Sequence, residues 1–266
     1  MERGSLQARH ERLTQLVPAI GPVSFARDRL LPVVPALEPL LPDAGLTRGC
    51  TIGCQGATAV SVALAVVAGA SAAGSWLAVV GLPALGLRAA DELGVALERL
   101  VMVADTGNTG NTGNTGNTAE TAWANMAAAL VDGFDLVVIR NNSNIRAATA
   151  RRLQARVQSR GAVLVVVGDP GRFTCDLLVT AQAGTWEGLG DGSGRLARRR
   201  LTVSVSGRRM ARERQTELWL PGTNGGIETV QPSTVSSSTV SSSTVLSSTV
   251  LSSTVSSSTV SLQQTG

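Results

Sequence analysis

The sequence contains no lysine: its basic residues number 23, all of them arginine, against 19 acidic residues. A phosphate-binding loop of the G-x-x-x-x-G-K-[ST] type, a Schiff-base lysine and a Ser–Lys dyad each require a lysine side chain. The composition therefore excludes these three kinds of catalytic site.

Histidine and tyrosine are also scarce. There is no tyrosine, and the single histidine, His10, lies in a charged N-terminal stretch. A Ser-His-Asp triad would have to use this histidine and would need a third group to hold it, so we interpret His10 as an ordinary solvent-exposed side chain. Residues 1–16 are charged throughout and lack the apolar core of a secretory signal, which favours a cytoplasmic protein.

The three cysteines are not spaced for a disulfide or a metal. Cys50 and Cys54 fall on one face of one predicted strand, about 13 Å apart for an extended chain, which is too far for either kind of bond. Cys175 stands alone in the sequence. We expect reduced thiols that pack as small apolar side chains, and no metal site.

Residues 57–82 carry no charge and are long enough to span a bilayer. Gly69, Gly74 and two serines interrupt the middle of this stretch, however, and the composition changes there. The pattern favours a buried helix followed by a buried strand, with a membrane span as the alternative. Parallel strands that are covered on both faces have such continuous apolar runs.

Apolar runs of strand length alternate with runs of helix length from residue 50 to residue 167. This alternation predicts a mostly parallel sheet flanked by helices, an α/β fold. After Pro170 the pattern changes to strands and turns, which predicts an antiparallel extension. The predicted core strands are 50–54, 75–80, 100–104, 134–139 and 162–167; the helices are 58–70, 87–94, 119–131 and 145–159; and the antiparallel strands are 176–181, 199–206 and 213–219.

Two low-complexity repeats set the expected segment boundaries. Residues 106–118 repeat a Thr-Gly-Asn triplet, which supplies turn residues but no core, and indicate a flexible loop. The Ser/Thr-rich repeat at 233–261 places valine every five residues, a period that matches neither helix nor strand, and predicts a disordered tail. We expect an N-terminal helix and Pro/Leu-rich linker over 1–45, a core over 46–220, and the tail over 221–266.

The stretch GCQGATAVSVAL, residues 53–64, occupies the place of a phosphate-binding loop. A predicted strand precedes it, a predicted helix follows it, and small residues join the two. Gly56 is followed by Ser61 and Val62 where such a loop would carry its lysine.

The order of these elements resembles the RecA family. In that family the second core strand runs into a segment ending in Leu-Gly-Val, which matches Leu93, Gly94 and Val95. FDLVVIR, residues 134–140, is similar to the family's Walker B strand. The resemblance covers residues 48–220.

This resemblance implies that the nucleotide site has lost its catalytic residues. Val62 stands at the position of the phosphate-loop lysine, Leu82 at that of the glutamate that activates water, and Arg140 at that of the aspartate that helps to hold Mg²⁺. Valine cannot bridge phosphates, leucine cannot polarise water, and a guanidinium repels a divalent cation. We expect a protein that is not an enzyme and has no cofactor. Anion binding by backbone N–H groups at the helix start stays open.

Four stretches of the chain are also similar to the ImuA′ family of actinobacterial mutasome accessory proteins. They are SWLAVVGLPALGLRAADELGVALERLVMV (75–103), DGFDLVVIR (132–140), ARRLQARVQSRGAVLVVVG (150–168) and GRRMARERQTELWLPG (207–222).

What this family implies is a non-catalytic, RecA-like adaptor in SOS-induced translesion synthesis and mutagenesis. Its implied partners are an inactive Y-family polymerase-like protein and an error-prone C-family polymerase. The implied location is the cytoplasm, with nucleoid association when DNA is damaged.

Clustered arginines are candidates for contacts to DNA or to a protein partner, and the pI near 10.0 agrees with either. The first cluster comprises Arg146, Arg151, Arg152, Arg156 and Arg160. The second comprises Arg195, Arg198, Arg199, Arg200, Arg208, Arg209, Arg212 and Arg214. Aromatic residues make up only 3% of the chain, which is few for stacking bases. Trp219, at the end of the last strand, is a candidate partner anchor, whereas Trp76 and Trp186 are expected to pack in the core or on the hairpin.

Two further functions stay open at the level of the sequence. One is an accessory protein that binds DNA through these arginines. The other is a damage-induced inhibitor of cell division, because such inhibitors also resemble RecA-like folds.

Overall fold

The computed structural model of the protein describes residues 29–105, 116–141, 145–189, 194–208 and 210–230, with side chains from residue 119 onward in the second range. The predicted N-terminal helix, most of the Thr-Gly-Asn repeat, the Ser/Thr-rich repeat and Arg209 lie outside the described residues.

The five predicted core strands and four helices are confirmed. The strands are β3 (Thr51–Gln55), β4 (Leu77–Val80), β5 (Leu100–Val103), β6 (Leu136–Arg140) and β7 (Val163–Val167). The helices are α1 (Ala59–Ala72), α2 (Leu87–Glu92), α3 (Gly116–Gly133) and α4 (Ala147–Arg160).

The antiparallel extension is also confirmed, and its first two strands are longer than predicted. It consists of β8 (Leu177–Leu189), β9 (Gly194–Gly207), β10 (Arg214–Trp219) and the short β11 (Glu228–Thr229). Within the described residues, these strands join the core in one sheet of order β11-β10-β9-β8-β3-β7-β6-β4-β5. Pairing is parallel from β8 to β5 and antiparallel from β8 to β11.

Each face of the parallel region is covered by helices. Val138 of β6 packs into the cluster that contains α1, while its neighbours Val137 and Ile139 pack into the cluster that contains residues of α3 and α4. Successive residues of a strand point to opposite faces, so strands covered on both sides read as continuous apolar runs.

Helix α1 is buried almost all round, which explains the uncharged stretch at 57–82. It lies between the sheet and the N-terminal segment, and a Cβ at Gly69 would be 2.4 Å from the backbone carbon of Val33. Only glycine permits this close crossing of two backbones. A helix that is apolar on every side is a core helix when the chain covers it on every side.

The prediction of a linker is wrong for residues 29–45, the part of this segment that the structure describes. Residues 29–45 contain β1 (Leu30–Leu31) and a 3-10 helix at Pro35–Leu40, and β1 pairs with β2 (Leu46–Thr47). Leu37 and Leu40 are 3% and 2% exposed and belong to the core. The core therefore begins before residue 46, because α1 needs this segment to cover its outer side.

The predicted start of the tail at residue 221 is also too early. Leu218 and Trp219 of β10 pair with Thr229 and Glu228 of β11, and Ile227 packs against the core. The ordered fold continues at least to residue 230.

Candidate functional site

The carboxyl ends of the parallel strands meet along one edge of the sheet, where open α/β sheets bind ligands. Gly56 follows β3, Gly168 follows β7, and Gly81 follows β4, with φ of 101°, 94° and 72°. These backbone conformations favour glycine. The sequence placed the candidate nucleotide site at this edge, and the structure brings Gly56, Leu82 and Arg140 to it.

The connection that follows β3 is short. Three residues, 56–58, separate Gln55 at the end of β3 from Ala59 at the start of α1. Gly56 lies against β8, because a Cβ at this glycine would be 2.1 Å from the carbonyl oxygen of Ala181. The motif G-x-x-x-x-G-K-[ST] uses eight residues to surround phosphates with backbone N–H groups.

A backbone hydrogen bond closes the turn that leads into α1, since the N–H of Ala59 donates to the carbonyl of Gly56 at 3.1 Å. The first hydrogen bond of the helix itself runs from the N–H of Val62 to the carbonyl of Thr58 at 3.0 Å. The hydroxyl of Thr58 is buried and has no hydrogen-bond partner within the described residues.

Two of the three positions expected for catalytic side chains face the core. Val62 is 1% exposed and Leu82 is 7% exposed, and both pack into the cluster that contains α1. Arg140 ends β6 and is exposed. An ideal Cβ at Gly81 would be 3.5 Å from the Cβ of Arg140 and 3.5 Å from the Cβ of Asp105. A cationic and an anionic side chain therefore flank this glycine.

Side-chain hydrogen bonds tie β6 to the loop that follows β7. The amide of Asn141 donates to the carbonyl of Asp169, and the carboxylate of Asp169 accepts from the N–H of Gly171 at 2.9 Å. Within the described ranges, no group of three or more His, Cys, Asp or Glu side chains is arranged to hold a metal ion.

The first arginine cluster is largely engaged in ion pairs between α3 and α4. Arg156 donates from Nε to Oδ1 of Asp132 at 2.7 Å, and Arg160 donates to the same oxygen at 2.9 Å. The hydrogen bond from Arg156, together with that from Arg160, lowers the pKa of Asp132 to about 2. Arg146 pairs with Glu120 at 3.4 Å, and hydrogen bonds from the Thr149 hydroxyl and the Arg146 N–H lower the pKa of Glu120.

Arg152 differs from its neighbours. It is exposed and forms no ion pair with a described carboxylate. Together with Arg156 it lines a groove of about 340 Å³ between α3 and α4. Arg151, on the adjacent position, donates only to the carbonyl of Ala147, at 3.3 Å.

The second arginine cluster is also used mainly within the chain. Arg198 pairs with Glu187 at 2.7 Å, Arg208 pairs with Asp176 at 3.0 Å, and Arg200 pairs with Glu217. Arg214 donates to the carbonyl of Leu41 at 2.6 Å and thereby holds the N-terminal segment. Burial lowers the pKa of Arg199, which donates to the carbonyl of Leu220 at 3.4 Å. Arg212 is exposed.

The predicted partner anchor Trp219 offers little surface. It is 8% exposed, and the Arg198 guanidinium lies 4.0 Å from its ring centroid. Trp76 and Trp186, which the sequence assigned to core or hairpin packing, are 46% and 41% exposed. The assignment holds for Trp186, which lies on β8 and packs against Arg199 of β9, 4.8 Å from its ring centroid, whereas Trp76 is not a core residue.

The cysteines lie in the core or close to it. All three are free. Burial, followed by the charge of Cys175, raises the pKa of Cys54 to about 12, and burial, followed by the charge of Asp176, raises the pKa of Cys175 to about 11. Both thiols are protonated at neutral pH and are poor nucleophiles.

These features define a RecA-like α/β core. The structure is similar to the crystal structure of the RadB recombinase, with a TM-score of 0.53 at 14% sequence identity over 74% of this chain and 97% of that chain.

The chain belongs to the family described as the MT3502 N-terminal domain, whose model matches residues 39–171, half of the chain. It is also similar to the uncharacterized protein Rv3395c of Mycobacterium tuberculosis (strain ATCC 25618 / H37Rv), with 36% identity over 140 residues, 52% of this chain and 53% of that protein. The chain thus spans about half the length of the curated relative that it matches.

Among the described residues, no helix has both the length and the apolar content required to cross a membrane. The stretch at 57–82 instead forms α1 and β4, as the sequence indicated.

Proposed function

We propose that this chain is a non-catalytic, RecA-like adaptor of the ImuA′ kind, which recruits error-prone polymerase components in SOS-induced translesion synthesis. Its proposed partners are an inactive Y-family polymerase-like protein and an error-prone C-family polymerase. The observation that carries the proposal is the close approach of Gly56 to Ala181, which leaves a three-residue connection where a nucleotide site needs a phosphate loop.

The environment of the lost catalytic positions supports the same proposal. Val62 and Leu82 are core residues, so replacing them with charged residues would disturb packing before it supplied chemistry. Arg140 presents a positive charge where Mg²⁺ would have to bind. The carboxyl edge of the parallel strands is present in this fold, but the side chains of Val62 and Leu82 pack into the core there.

Contacts of the arginine clusters support a protein adaptor more than a direct DNA-binding role. Arg146, Arg156 and Arg160 are paired with carboxylates on α3. Arg198 and Arg200 are paired with carboxylates on β8 and β10, and Arg208 is paired with Asp176, just before β8. An arginine that is already paired gains less from a phosphate, because the two acceptors compete for the same donors.

The assignment to translesion synthesis comes from the sequence motifs at 75–103, 132–140, 150–168 and 207–222. The RecA-like fold and membership in the MT3502 N-terminal domain family are compatible with this assignment, and they supply the scaffold on which an adaptor would be built.

Two experiments test the proposed function together. In one, a strain with a clean deletion is treated with ultraviolet light, and the frequency of induced rifampicin-resistant mutants is compared with that of the parent and of the complemented strain. We expect the deletion to abolish the induced increase and the full chain to restore it. An unchanged frequency would refute the role in mutagenesis.

In the other, the tagged full chain is purified from damaged cells with and without nuclease, and its companions are identified by mass spectrometry. Polymerase components that survive nuclease treatment support a protein adaptor. Companions that all disappear with nuclease would show that DNA holds them together and would favour the DNA-binding alternative.

A further inference from the structure

The hairpin formed by β8 and β9 extends beyond the rest of the sheet. Strand β8 pairs with β3 only as far as Thr180, and β9 pairs with β10 only from Arg200 onward. We call residues 182–189 and 194–200 the ribbon. At its base Arg200 pairs with Trp219, and Arg199 exchanges backbone hydrogen bonds with Leu220 and Pro221. Eight residues of extended chain give the ribbon a length of about 25 Å. It starts next to Gly56 and projects past the carboxyl edge of the parallel strands.

The ribbon exposes apolar side chains without a covering layer. Trp186, Leu189 and Leu196 are 41%, 64% and 48% exposed, and every residue from 182 to 189 is exposed. A two-stranded hairpin with no covered face is marginally stable in water. An apolar, ordered ribbon of this kind is therefore typical of a surface that a partner covers.

The outer edge of β8 is open. From Gln182 onward, no described strand pairs with the side of β8 that faces away from β9. Proteins usually protect such an edge with charged side chains or proline. The only charged residue on this stretch of β8 is Glu187, which is held by Arg198 at 2.7 Å. The backbone donors and acceptors of this edge are thus available to another extended chain.

The charge of the ribbon indicates which kind of peptide segment could bind beside its open edge. Its described residues include one glutamate, Glu187, and four arginines, Arg195, Arg198, Arg199 and Arg200. Arg198 and Arg200 are paired with carboxylates. Arg199 lies over the ring of Trp186, 4.8 Å from its centroid, and forms no ion pair with a described carboxylate. Arg195 is exposed. The surface beside the open edge is therefore apolar and positively charged.

From these observations we infer that the open edge of β8 is a docking site for an extended, acidic and apolar segment of a partner protein, which adds to the ribbon as a further strand. Backbone hydrogen bonds would supply the pairing, Trp186 and Leu189 would contact apolar side chains of the segment, and Arg195 and Arg199 would bind its carboxylates. The inference rests on the proposed adaptor function in taking the partner to be a protein.

The same contacts argue against two other occupants. A nucleic acid base would have to stack on Trp186, but Arg199 already covers one face of its ring. A second copy of the chain would bring two positively charged ribbons together, and like charges across an interface are unfavourable.

The test uses the purified full chain and two fluorescein-labelled peptides of 12 residues. One peptide alternates valine with glutamate, and the other alternates valine with lysine. Fluorescence anisotropy measures their binding, and amide hydrogen exchange locates it. We expect saturable binding of the acidic peptide, with slower exchange at residues 182–189, and binding of the basic peptide that is weaker by about tenfold or more.

Trp186→Ser and Trp76→Ser provide a matched comparison, because the two tryptophans are similarly exposed and Trp76 lies at the start of β4, away from the ribbon. We expect Trp186→Ser to weaken binding of the acidic peptide by about tenfold or more, as for an interface hot spot, and Trp76→Ser to leave it unchanged. If Trp186→Ser does not fold, Leu189→Ser replaces it in this comparison, because Leu189 is the most exposed large apolar residue of the described ribbon. The same loss of acidic-peptide binding is expected.

Several outcomes would overturn the inference. They are the absence of acidic-peptide binding by the wild-type chain, equal loss in both tryptophan variants, and protection of amides elsewhere in the sheet. Oligo-dT binding that Trp186→Ser abolishes would assign the ribbon to nucleic acid instead, and a dimer in sedimentation that the same change dissociates would assign it to a second copy.

These results are separable from the test of the proposed function. If polymerase components co-purify equally with the wild-type and Trp186→Ser chains, the docking site on the ribbon is refuted and the adaptor function is retained. If the peptide binds at the ribbon but no polymerase component co-purifies, the adaptor role in translesion synthesis is refuted and the docking site is retained.

Discussion

Gly56 lies so close to Ala181 that a Cβ on the glycine would be 2.1 Å from the alanine carbonyl oxygen. This contact joins the connection after β3 to the strand that leads into the ribbon. It thereby fixes the connection at the candidate nucleotide site against β8, and it sets the position from which the ribbon projects. One glycine thus links the candidate nucleotide site to the proposed docking surface.

The first prediction concerns this contact and uses two glycines. Gly56 and Gly168 both have positive φ, 101° and 94°, at the ends of β3 and β7, but a Cβ at Gly168 would meet nothing within 4 Å. Gly168→Ala should cost about 1–2 kcal/mol of unfolding free energy through its backbone conformation alone. Gly56→Ala should cost about 1–3 kcal/mol more through overpacking. Urea denaturation of both variants measures the difference, and equal losses would show that the loop moves away from Ala181 at little cost.

The second prediction concerns the attempt to restore a lysine. Val62 is 1% exposed in the core, so Val62→Lys should lower the free energy of unfolding by about 4 kcal/mol or more, since a buried charge lacks a partner. It should not create binding of Mg²⁺–ATP in calorimetry. Ser61→Lys, one position earlier and partly exposed, is the control and should be tolerated. Tight ATP binding by Val62→Lys would mean that the site is only one side chain short of function.

The third prediction concerns the pH dependence of the α3–α4 ion pairs. The pKa of Asp132 is lowered to about 2, chiefly by the hydrogen bond from Arg156. The pair therefore stabilises the fold at neutral pH, and this contribution disappears as the pH falls from about 4, the value of an unfolded aspartate, toward the folded value. Asp132→Asn should be less stable than the wild type at pH 7, and the gap should narrow at acidic pH.

Two arginines of α4 provide the control for this pH dependence. Arg156→Gln should reproduce the effect of Asp132→Asn, whereas Arg151→Gln should not, because Arg151 donates only to a backbone carbonyl. Thermal unfolding at a series of pH values measures all three variants. A gap that stays constant down to pH 2 would show that Asp132 acts through packing and not through its charge.

The fourth prediction concerns thiol reactivity. Burial raises the pKa of Cys54 to about 12 and that of Cys175 to about 11, so both should react slowly with iodoacetamide at pH 8, where the thiolate fraction is small. The rate at Cys175 should increase with pH toward 11. Mass spectrometry of the native and urea-unfolded chain measures the labelling, and rapid native labelling of Cys175 would show that its loop opens.

Much of the RecA-like core follows from the sequence alone. The apolar runs at 134–139 and 162–167 predicted β6 and β7 to within two residues, because strands covered on both faces need consecutive apolar side chains. The absence of lysine and the presence of Val62, Leu82 and Arg140 at the candidate nucleotide site were likewise sequence facts. Local pattern was sufficient for these features, because each depends on residues that are close in the chain.

Contacts between distant residues could be decided only by the tertiary structure. The pairing of Arg156 with Asp132, the covering of Trp219 by Arg198, and the approach of Gly56 to Ala181 each join segments that the sequence does not relate. The length of the ribbon also escaped prediction, because its exposed strands lack the apolar periodicity that burial imposes. The sequence by itself thus determined the class of fold and which residues stand at the candidate nucleotide site. The tertiary structure decided which arginines are paired and which tryptophan and which strand edge remain exposed, because exposure depends on neighbours brought from elsewhere in the chain.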